Sequence, residues 1–394
     1  MQRIGIYGGT FNPPHVGHLR LAQCALQVLK LDKILMIPDR IAPHKTMPIG
    51  TPSPQQRLEM LQKMVENQTK IEASALELQR EGPSYSYETV EQIRALYPDA
   101  ELYLLMGSDM LLTFCKWKES NRIASQVTLC AFSRGEKGEA EALSKEKERL
   151  EANGAKVELI PNTITQISSS DIRRLLVFGC AGPFMTSEVL KYIHAHGLYG
   201  TGCDYRNLSA DTLEEVVVSL LKENRIAHVL GCARTCVELA NQFGADTTDA
   251  FRAGLLHDIT KALDGPLQLT LCKEYGMILD TFSAQNPKTL HALTGSLVAE
   301  RIFGENEAVI EAIRCHTTGK ADMNLLEKIV YVADYIEPNR DFPGVEELRR
   351  LAYTDITKAL KLGLKMTLDM LNLQQREISP ESREALAYLE NIGV

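Results

Sequence analysis

Apolar residues along positions 1–200 come in short runs separated by amphipathic stretches. Arg3–Tyr7, Lys33–Ile37, Ile71–Ser74, Leu102–Met106, Val127–Phe132 and Val157–Ile160 read as strands. Leu19–Lys30, Pro54–Glu66 and Tyr87–Leu96 lie between them and carry helical periodicity. Strand–helix alternation predicts an α/β fold, a Rossmann-like doubly wound parallel sheet with helices on both faces. Such sheets bind ligands beyond the carboxyl ends of their strands, where the strand order reverses. The alternation stops near Tyr199-Gly-Thr-Gly-Cys-Asp204, which reads as a linker. Beyond it the pattern predicts an all-α domain: Leu213–Asn224, Ala227–Phe243, Thr247–Leu263, Pro266–Tyr275, Leu290–Phe303, Asn306–Arg314, Asn324–Ile336, Val345–Leu373 and Pro380–Ile392. Two domains are expected, residues 1–200 and 208–394.

Composition refines this without changing it. The chain has 394 residues, 44% hydrophobic and 24% charged, ordinary values for a globular protein. No apolar run approaches the roughly 20 residues of a membrane span. The start, Met1–Tyr7, enters a strand directly, without the basic and apolar segments of a signal peptide, so a cytoplasmic enzyme with no membrane partner is expected. The nine cysteines form no CxxC pair and read as thiols in a reducing compartment. Residues 1–200 carry 23 Lys+Arg against 22 Asp+Glu, and residues 201–394 carry 20 against 29. An acidic second half argues against nucleic acid and suits bound cations.

Chemistry gathers at two places. The first strand ends in Gly8-Gly9-Thr10-Phe11-Asn12-Pro-Pro-His15-Val-Gly-His18, and a helix follows. Small residues and a helix N-terminus favour an anion, and two imidazoles three residues apart can donate to a triphosphate. Near the end of this half, Ile167-Ser168-Ser169-Ser170-Asp-Ile-Arg173 places three hydroxyls before a helix and an arginine in its first turn, able to fork onto phosphate. Gly8–His18 resembles the GTFNPPHxGH signature of bacterial nicotinate-nucleotide adenylyltransferases, within the HxGH nucleotidyltransferase superfamily, and the similarity runs over roughly residues 1–200. Pro43-His-Lys45 looks like the family's PHK loop, and Ser84–Thr89 is similar to its SYT segment, with Ser86 where threonine is usual. Gly107-Ser-Asp109 and Trp117 match its mononucleotide stretch, and Ile167–Arg173 its ISSTxIR signature, with Ser170 in place of threonine.

The resemblance implies attack by the mononucleotide's own phosphate on the α-phosphorus of ATP, with His15, His18, Lys45 and Arg173 dispersing charge. No general base is needed, because the attacking phosphate is already anionic. ATP is expected on Gly8, Gly9, Thr10, Phe11, His15, His18, Gly107, Asp109, Ile167, Ser168, Ser169 and Arg173, with Mg²⁺ riding on the triphosphate. Asn12, Lys45, Ser86, Thr89, Asp109, Trp117 and Arg134 are expected around nicotinate mononucleotide.

The second place is the helical half. His228, His257, His291 and His316 each fall on a separate predicted helix or at its end. Asp258 follows His257, and Asp334 interrupts an apolar run. A carboxylate in such a run costs several kcal/mol unless paired or metal-bound. Any one of these histidines reads as a core residue; the whole set reads as a site for borderline divalent metals. The order His228, His257-Asp258, Asp334 resembles the HD phosphohydrolases, and His291 and His316 fit their dinuclear members. Arg225-Ile-Ala-His228, Leu-Leu-His-Asp-Ile-Thr-Lys261, His316-Thr-Thr-Gly319 and Asp334–Gly344 look like motifs of the bacterial HD family that splits diadenosine tetraphosphate into two ADP, over roughly residues 208–394. The resemblance implies two transition metals, iron first and Mn, Co or Zn as alternatives, which activate water and hold phosphate oxygens. Asp258 is expected to bridge them, and Lys261 to stabilise phosphate charge, with Arg340 in a similar role.

Another nucleotide, an alarmone or a deoxynucleotide, stays open as the substrate of this half, as does a sensing module without turnover. The expected partners are ATP, nicotinate mononucleotide and diadenosine tetraphosphate, and a homo-oligomer stays open.

Overall fold

A computed structural model describes residues 1–42, 47, 48, 50–133, 135, 138–161 and 167–394. They divide into two compact units, Met1–Cys203 and Asp204–Val394.

In the first unit the strands are β1 (Arg3–Gly9), β2 (Lys33–Pro38), β3 (Ile71–Ala73), β4 (Glu101–Gly107), β5 (Thr128–Phe132) and β6 (Lys156–Ile160). They form one parallel sheet in the order β3-β2-β1-β4-β5-β6. All six strands read from the sequence are present, within a residue or two at each end. Both sheet faces are covered, so the inner strands are near-continuous apolar runs: β4 buries Leu102 through Met106. The helices are α1 (Val16–Val28), α2 (Pro54–Val65), α3 (Ser86–Leu96), α4 (Ser108–Leu112), α5 (Ser120–Ala124), α6 (Glu139–Ala152), α7 (Ser169–Val177) and α8 (Ser187–Ala195). Helix α2 starts where Ser53 caps it and a proline occupies the first turn. The chain reverses direction across the sheet between β1 and β4, so their carboxyl ends border the crevice.

The second unit is helical: α9 (Ala210–Leu220), α10 (Glu223–Phe243), α11 (Thr247–Leu256), α12 (Gly265–Glu274), α13 (Thr281–Gln285), α14 (Leu290–Val298), α15 (Glu307–Cys315), α16 (Leu325–Ile336), α17 (Val345–Ala352), α18 (Ile356–Leu373) and α19 (Pro380–Asn391). Helix α10 packs on α11 and α16, and α15 on α11, α14 and α16. Among the described residues no helix is long and apolar enough to cross a membrane.

Two long sequence-predicted helices are divided. Thr247–Leu263 ends at Leu256, where the bonds tighten to three-residue turns, Ile259 N–H to Leu256 O and Lys261 N–H to Asp258 O. Val345–Leu373 breaks at Tyr353, because Asp355 leaves the helical conformation and caps a new helix through Lys358 N–H.

Candidate functional sites

In the first unit, β1 delivers the chain to a turn, and His15 stands as the residue capping α1. The backbone N–H of His15 donates to His18 Nδ1 at 3.2 Å, which places the ring proton of His18 on Nε2. The two rings lie 3.7 Å apart, centre to centre. His15 is 4% exposed, and burial pushes its imidazole down to about 3, so it is neutral near pH 7. Gly17 between them is a spatial necessity: a Cβ there would lie 2.9 Å from His15 Nδ1 and 3.5 Å from Ile167 Cγ2. A Cβ on Gly8 would meet open space, so the end of β1 leaves its backbone approachable.

The second signature meets the first. Ser169 Oγ donates to Pro13 O at 3.1 Å, and Arg173 donates to Asn12 O at 2.7 Å and to Ser170 Oγ at 3.0 Å. These bonds pin the start of α7 beside the start of α1, so two helix N-termini and an arginine converge. Burial lowers the Arg173 pKa from its ordinary value, and the residue stays cationic. Ser168 is committed to capping α7 through Asp171 N–H. Across the crevice β4 ends at Gly107, with Asp109 exposed in the first turn of α4. Trp117 is half-buried and packs its ring 5.5 Å from that of Phe114.

Several expected ligand contacts are occupied by the protein itself. Asn12 is 4% exposed; its Oδ1 accepts from the Tyr199 hydroxyl at 2.8 Å and its Nδ2 donates to Thr51 Oγ1 at 3.2 Å. Thr89 is 2% exposed, and its hydroxyl donates to Glu77 Oε1 and accepts from Arg80. Ser86 opens α3 half-buried. Thr10 donates to Asp39 Oδ2 at 2.8 Å. Phe11 is buried under His18, ring centres 5.0 Å apart. Lys45 and Arg134 lie outside the described residues.

Sequence reasoning missed Arg57, Asp39 and Tyr199. Arg57 is 1% exposed and donates to Asp39 Oδ1 at 2.9 Å and to the Thr10 and Asp39 carbonyls at 2.7 Å. It thereby ties the turn after β1 to the end of β2. Its signal was a cation at the head of the apolar row Met60, Leu61, Met64 of α2. Tyr199 lies in the stretch read as a linker, and its bond to Asn12 gives that stretch a place in the first site.

In the second unit the imidazoles of His228, His257, His291 and His316 face one another. Three of them are oriented by a carbonyl three residues back: His257 Nδ1 lies 2.7 Å from Gly254 O, His291 Nδ1 2.9 Å from Lys288 O, and His316 Nδ1 2.6 Å from Ile313 O. His228 Nδ1 lies instead 3.0 Å from Glu337 Oε1. These Nδ1 contacts turn each Nε2 inward, the ring edge a metal ion would take. Asp258 divides its oxygens between the rings. Its Oδ2 is 3.7 Å from both His228 and His257 Nε2; its Oδ1 is 3.3 Å from His291 Nε2 and 3.7 Å from His316 Nε2. Asp334 Oδ1 completes the first group, 3.2 Å from His228 Nε2 and 3.9 Å from His257 Nε2.

Among the described residues two overlapping groups, His228, His257 and Asp334, and His257, Asp258 and His316, bring their ligand atoms within 4.8 Å of one another, a nitrogen-and-carboxylate donor set of the kind that holds divalent cations. Cationic side chains crowd the same carboxylates: Arg225 pairs with Asp258, Arg340 with Asp334, and Lys261 Nζ lies 3.8 Å from Asp258 Oδ1 and 2.8 Å from His291 Nε2. Burial pushes Lys261 down to about 8 and His316 down to about 4. For Asp334 burial acts upward, but the His228 hydrogen bond and nearby positive charge overrule it and hold the carboxyl well below its ordinary range. Glu337, 1% exposed, was not singled out from the sequence; its signal was a second acid one turn beyond Asp334 on an apolar helix end.

These geometries define a nucleotidyltransferase-type unit followed by an HD-type unit. Residues 6–175 match the Cytidylyltransferase-like family model, and residues 225–339 match the HD domain model. A symmetrical bis(5'-nucleosyl)-tetraphosphatase of Bacillus subtilis is 40% identical over 166 residues, 41% of this chain and 87% of that relative. A probable nicotinate-nucleotide adenylyltransferase of Dictyoglomus turgidum is 35% identical over 198 residues, 50% of this chain and 95% of that relative. A probable nicotinate-nucleotide adenylyltransferase/Ap4A hydrolase of Mycoplasma pneumoniae is 28% identical over 369 residues, 91% of this chain and 97% of its own. The chain belongs to the nicotinate-nucleotide adenylyltransferase family over its first half and to the symmetrical bis(5'-nucleosyl)-tetraphosphatase family over its second.

Proposed function

We propose that residues 1–200 transfer the adenylyl group of ATP to nicotinate mononucleotide, giving deamido-NAD and pyrophosphate, and that residues 208–394 hydrolyse diadenosine tetraphosphate to two ADP. The observation that carries the first reading is the meeting of His15 and His18 with Ser169 and Arg173 beyond the carboxyl end of β1. The one that carries the second is the division of Asp258 between two imidazole pairs.

In the transferase a phosphate oxygen of the mononucleotide forms a bond to the α-phosphorus as the bond to pyrophosphate breaks. No proton need be removed from the nucleophile. The residues align the two phosphates and absorb charge on the leaving group. His18 would donate through Nε2–H, and neutral His15 would do so without adding charge. Arg173 and Lys45 would supply the cations, and Mg²⁺ would accompany the triphosphate. Gly8, Gly9, Thr10 and Phe11 would border ATP through their backbone, with Ile167, Ser168 and Ser169 beside them at the start of α7 and Gly107 and Asp109 across the crevice. Trp117 would stack on the pyridine ring, with Ser86, Asp109 and Arg134 around the mononucleotide and Asn12 and Thr89 supporting its walls from within.

In the hydrolase His228, His257, Asp258, His291, His316 and Asp334 would hold two transition metals, iron first among them. Bound cations would supply Lewis acidity toward water and phosphate. Lys261, Arg225 and Arg340 would offset charge on the polyphosphate, whose central anhydride bond breaks.

Full-length protein incubated with ATP and nicotinate or nicotinamide mononucleotide, then with a nucleotide panel including diadenosine tetraphosphate under defined metals, tests both halves. Deamido-NAD and two ADP are the expected products. Failure to form deamido-NAD overturns the first reading. Turnover of an alarmone or deoxynucleotide in preference to diadenosine tetraphosphate overturns the second. Elemental analysis should find up to two transition-metal ions per chain, lost in His257→Ala and Asp258→Asn.

A further inference from the structure

The four inward histidines are not oriented alike. His257 and His316 follow the last residues of α11 and α15, and His291 opens α14. Carbonyls in the last turn of a helix lack intrahelical partners, so Gly254 O and Ile313 O can accept an imidazole proton, and Lys288 O does so from the short 3-10 turn before α14. His228 lies inside α10, where the backbone carbonyls are already spent on the helix. Its Nδ1 is met by a carboxylate brought from the end of α16: Glu337 Oε1, at 3.0 Å. The other oxygen of Glu337 accepts from the backbone N–H and the Nδ2 of Asn339, each at 2.8 Å. The carboxylate is 1% exposed, and α10 makes room for it: a Cβ on Gly231 would lie 2.6 Å from Glu337 Oε2.

We propose that Glu337 is a positioning residue that makes the two cation positions unequal. The position built from His228, His257, Asp334 and Asp258 Oδ2 is backed by a buried carboxylate. The position built from His291, His316 and Asp258 Oδ1 is backed by neutral carbonyls and faces the Lys261 ammonium. A carboxylate behind an imidazole fixes its tautomer and raises its basicity toward a metal, and loss of such a partner weakens metal binding about 10–100-fold. The first position is therefore the tight one and the second the weak one. The inference rests on the reading of this site as a two-cation centre.

Glu337→Gln in the full-length chain tests it. The amide is the same size but has one accepting oxygen, so either His228 or Asn339 meets a donor facing a donor. Protein stripped with chelator and titrated with Co²⁺ is followed by calorimetry and by cobalt absorption. Wild type should take up two ions in two phases. In Glu337→Gln the tight phase should weaken about 10–100-fold while the weak phase stays within about threefold. Asn339→Ala, which keeps the carboxylate but removes donors that hold it, should shift the tight phase in the same direction by less. Circular dichroism of the metal-free proteins establishes that the helices are retained. Unchanged phases in Glu337→Gln, or equal weakening of both, overturn the proposal while leaving the two-cation reading intact. Wild type that takes up no cobalt overturns both.

Discussion

Arg57→Met measures how far the turn after β1 depends on one buried ion pair. The guanidinium is 1% exposed and makes bonds of 2.7–2.9 Å to Asp39 Oδ1 and to the carbonyls of Thr10 and Asp39. Methionine keeps the volume of the stem and removes every donor. The Asp39 carboxylate then keeps the Thr10 hydroxyl, at 2.8 Å, but loses its counter-charge. Removing one partner of a buried pair costs about 3–5 kcal/mol. Carbonyls left without donors push toward the upper end. Trp117 is the single tryptophan of the chain and lies in the first unit, so its fluorescence during urea unfolding reports on that unit. With a denaturant slope of about 2 kcal/mol per molar, the midpoint should fall by about 2 M. Asp39→Asn added to Arg57→Met should recover part of the loss, because the stranded charge is gone. A midpoint shift below about 0.5 M, or purely additive effects of the two substitutions, would refute this account of the turn.

Gly17→Ala drives a methyl to 2.9 Å from His15 Nδ1; adenylyl transfer should fall about 100-fold in kcat/KM, and a loss under threefold would show the ring can move harmlessly. His18→Ala should lower turnover by about 10²–10³ with little change in KM for ATP; near-wild-type turnover removes His18 from the reaction. His15 has a folded pKa of about 3, below its unfolded value, so its neutral form is favoured by folding and stability is lost as pH falls below about 6.5. Between pH 7.5 and 5.0 this group should cost the first unit about 2 kcal/mol. His15→Asn should lose that much less over the same interval, read by Trp117 fluorescence; an identical loss in both proteins counts against a depressed imidazole.

Local pattern revealed the strands because a sheet covered on both faces demands unbroken apolar runs, as in Leu102–Met106. Where helices end was harder to read, since the periodicity of Thr247–Leu263 continues through a segment whose hydrogen bonds already reach back three residues instead of four. The chemistry-bearing residues were legible because their types are rare in apolar surroundings: His257-Asp258 and Asp334 stand out in any window. Their supports were not, because Arg57, Tyr199 and Glu337 act on residues 18, 187 and 109 positions away. Only the fold makes such pairs neighbours.

The Tyr199 hydroxyl that holds the Asn12 amide lies beyond α8, in a short 3-10 turn, Leu198–Gly200, near the end of the sheet-containing unit. Anyone severing the halves to assay them separately must therefore cut after Cys203. A fragment stopped at residue 197 would forfeit that phenol, and its sluggishness would be a wound of the scissors rather than news about cooperation between the two enzymes.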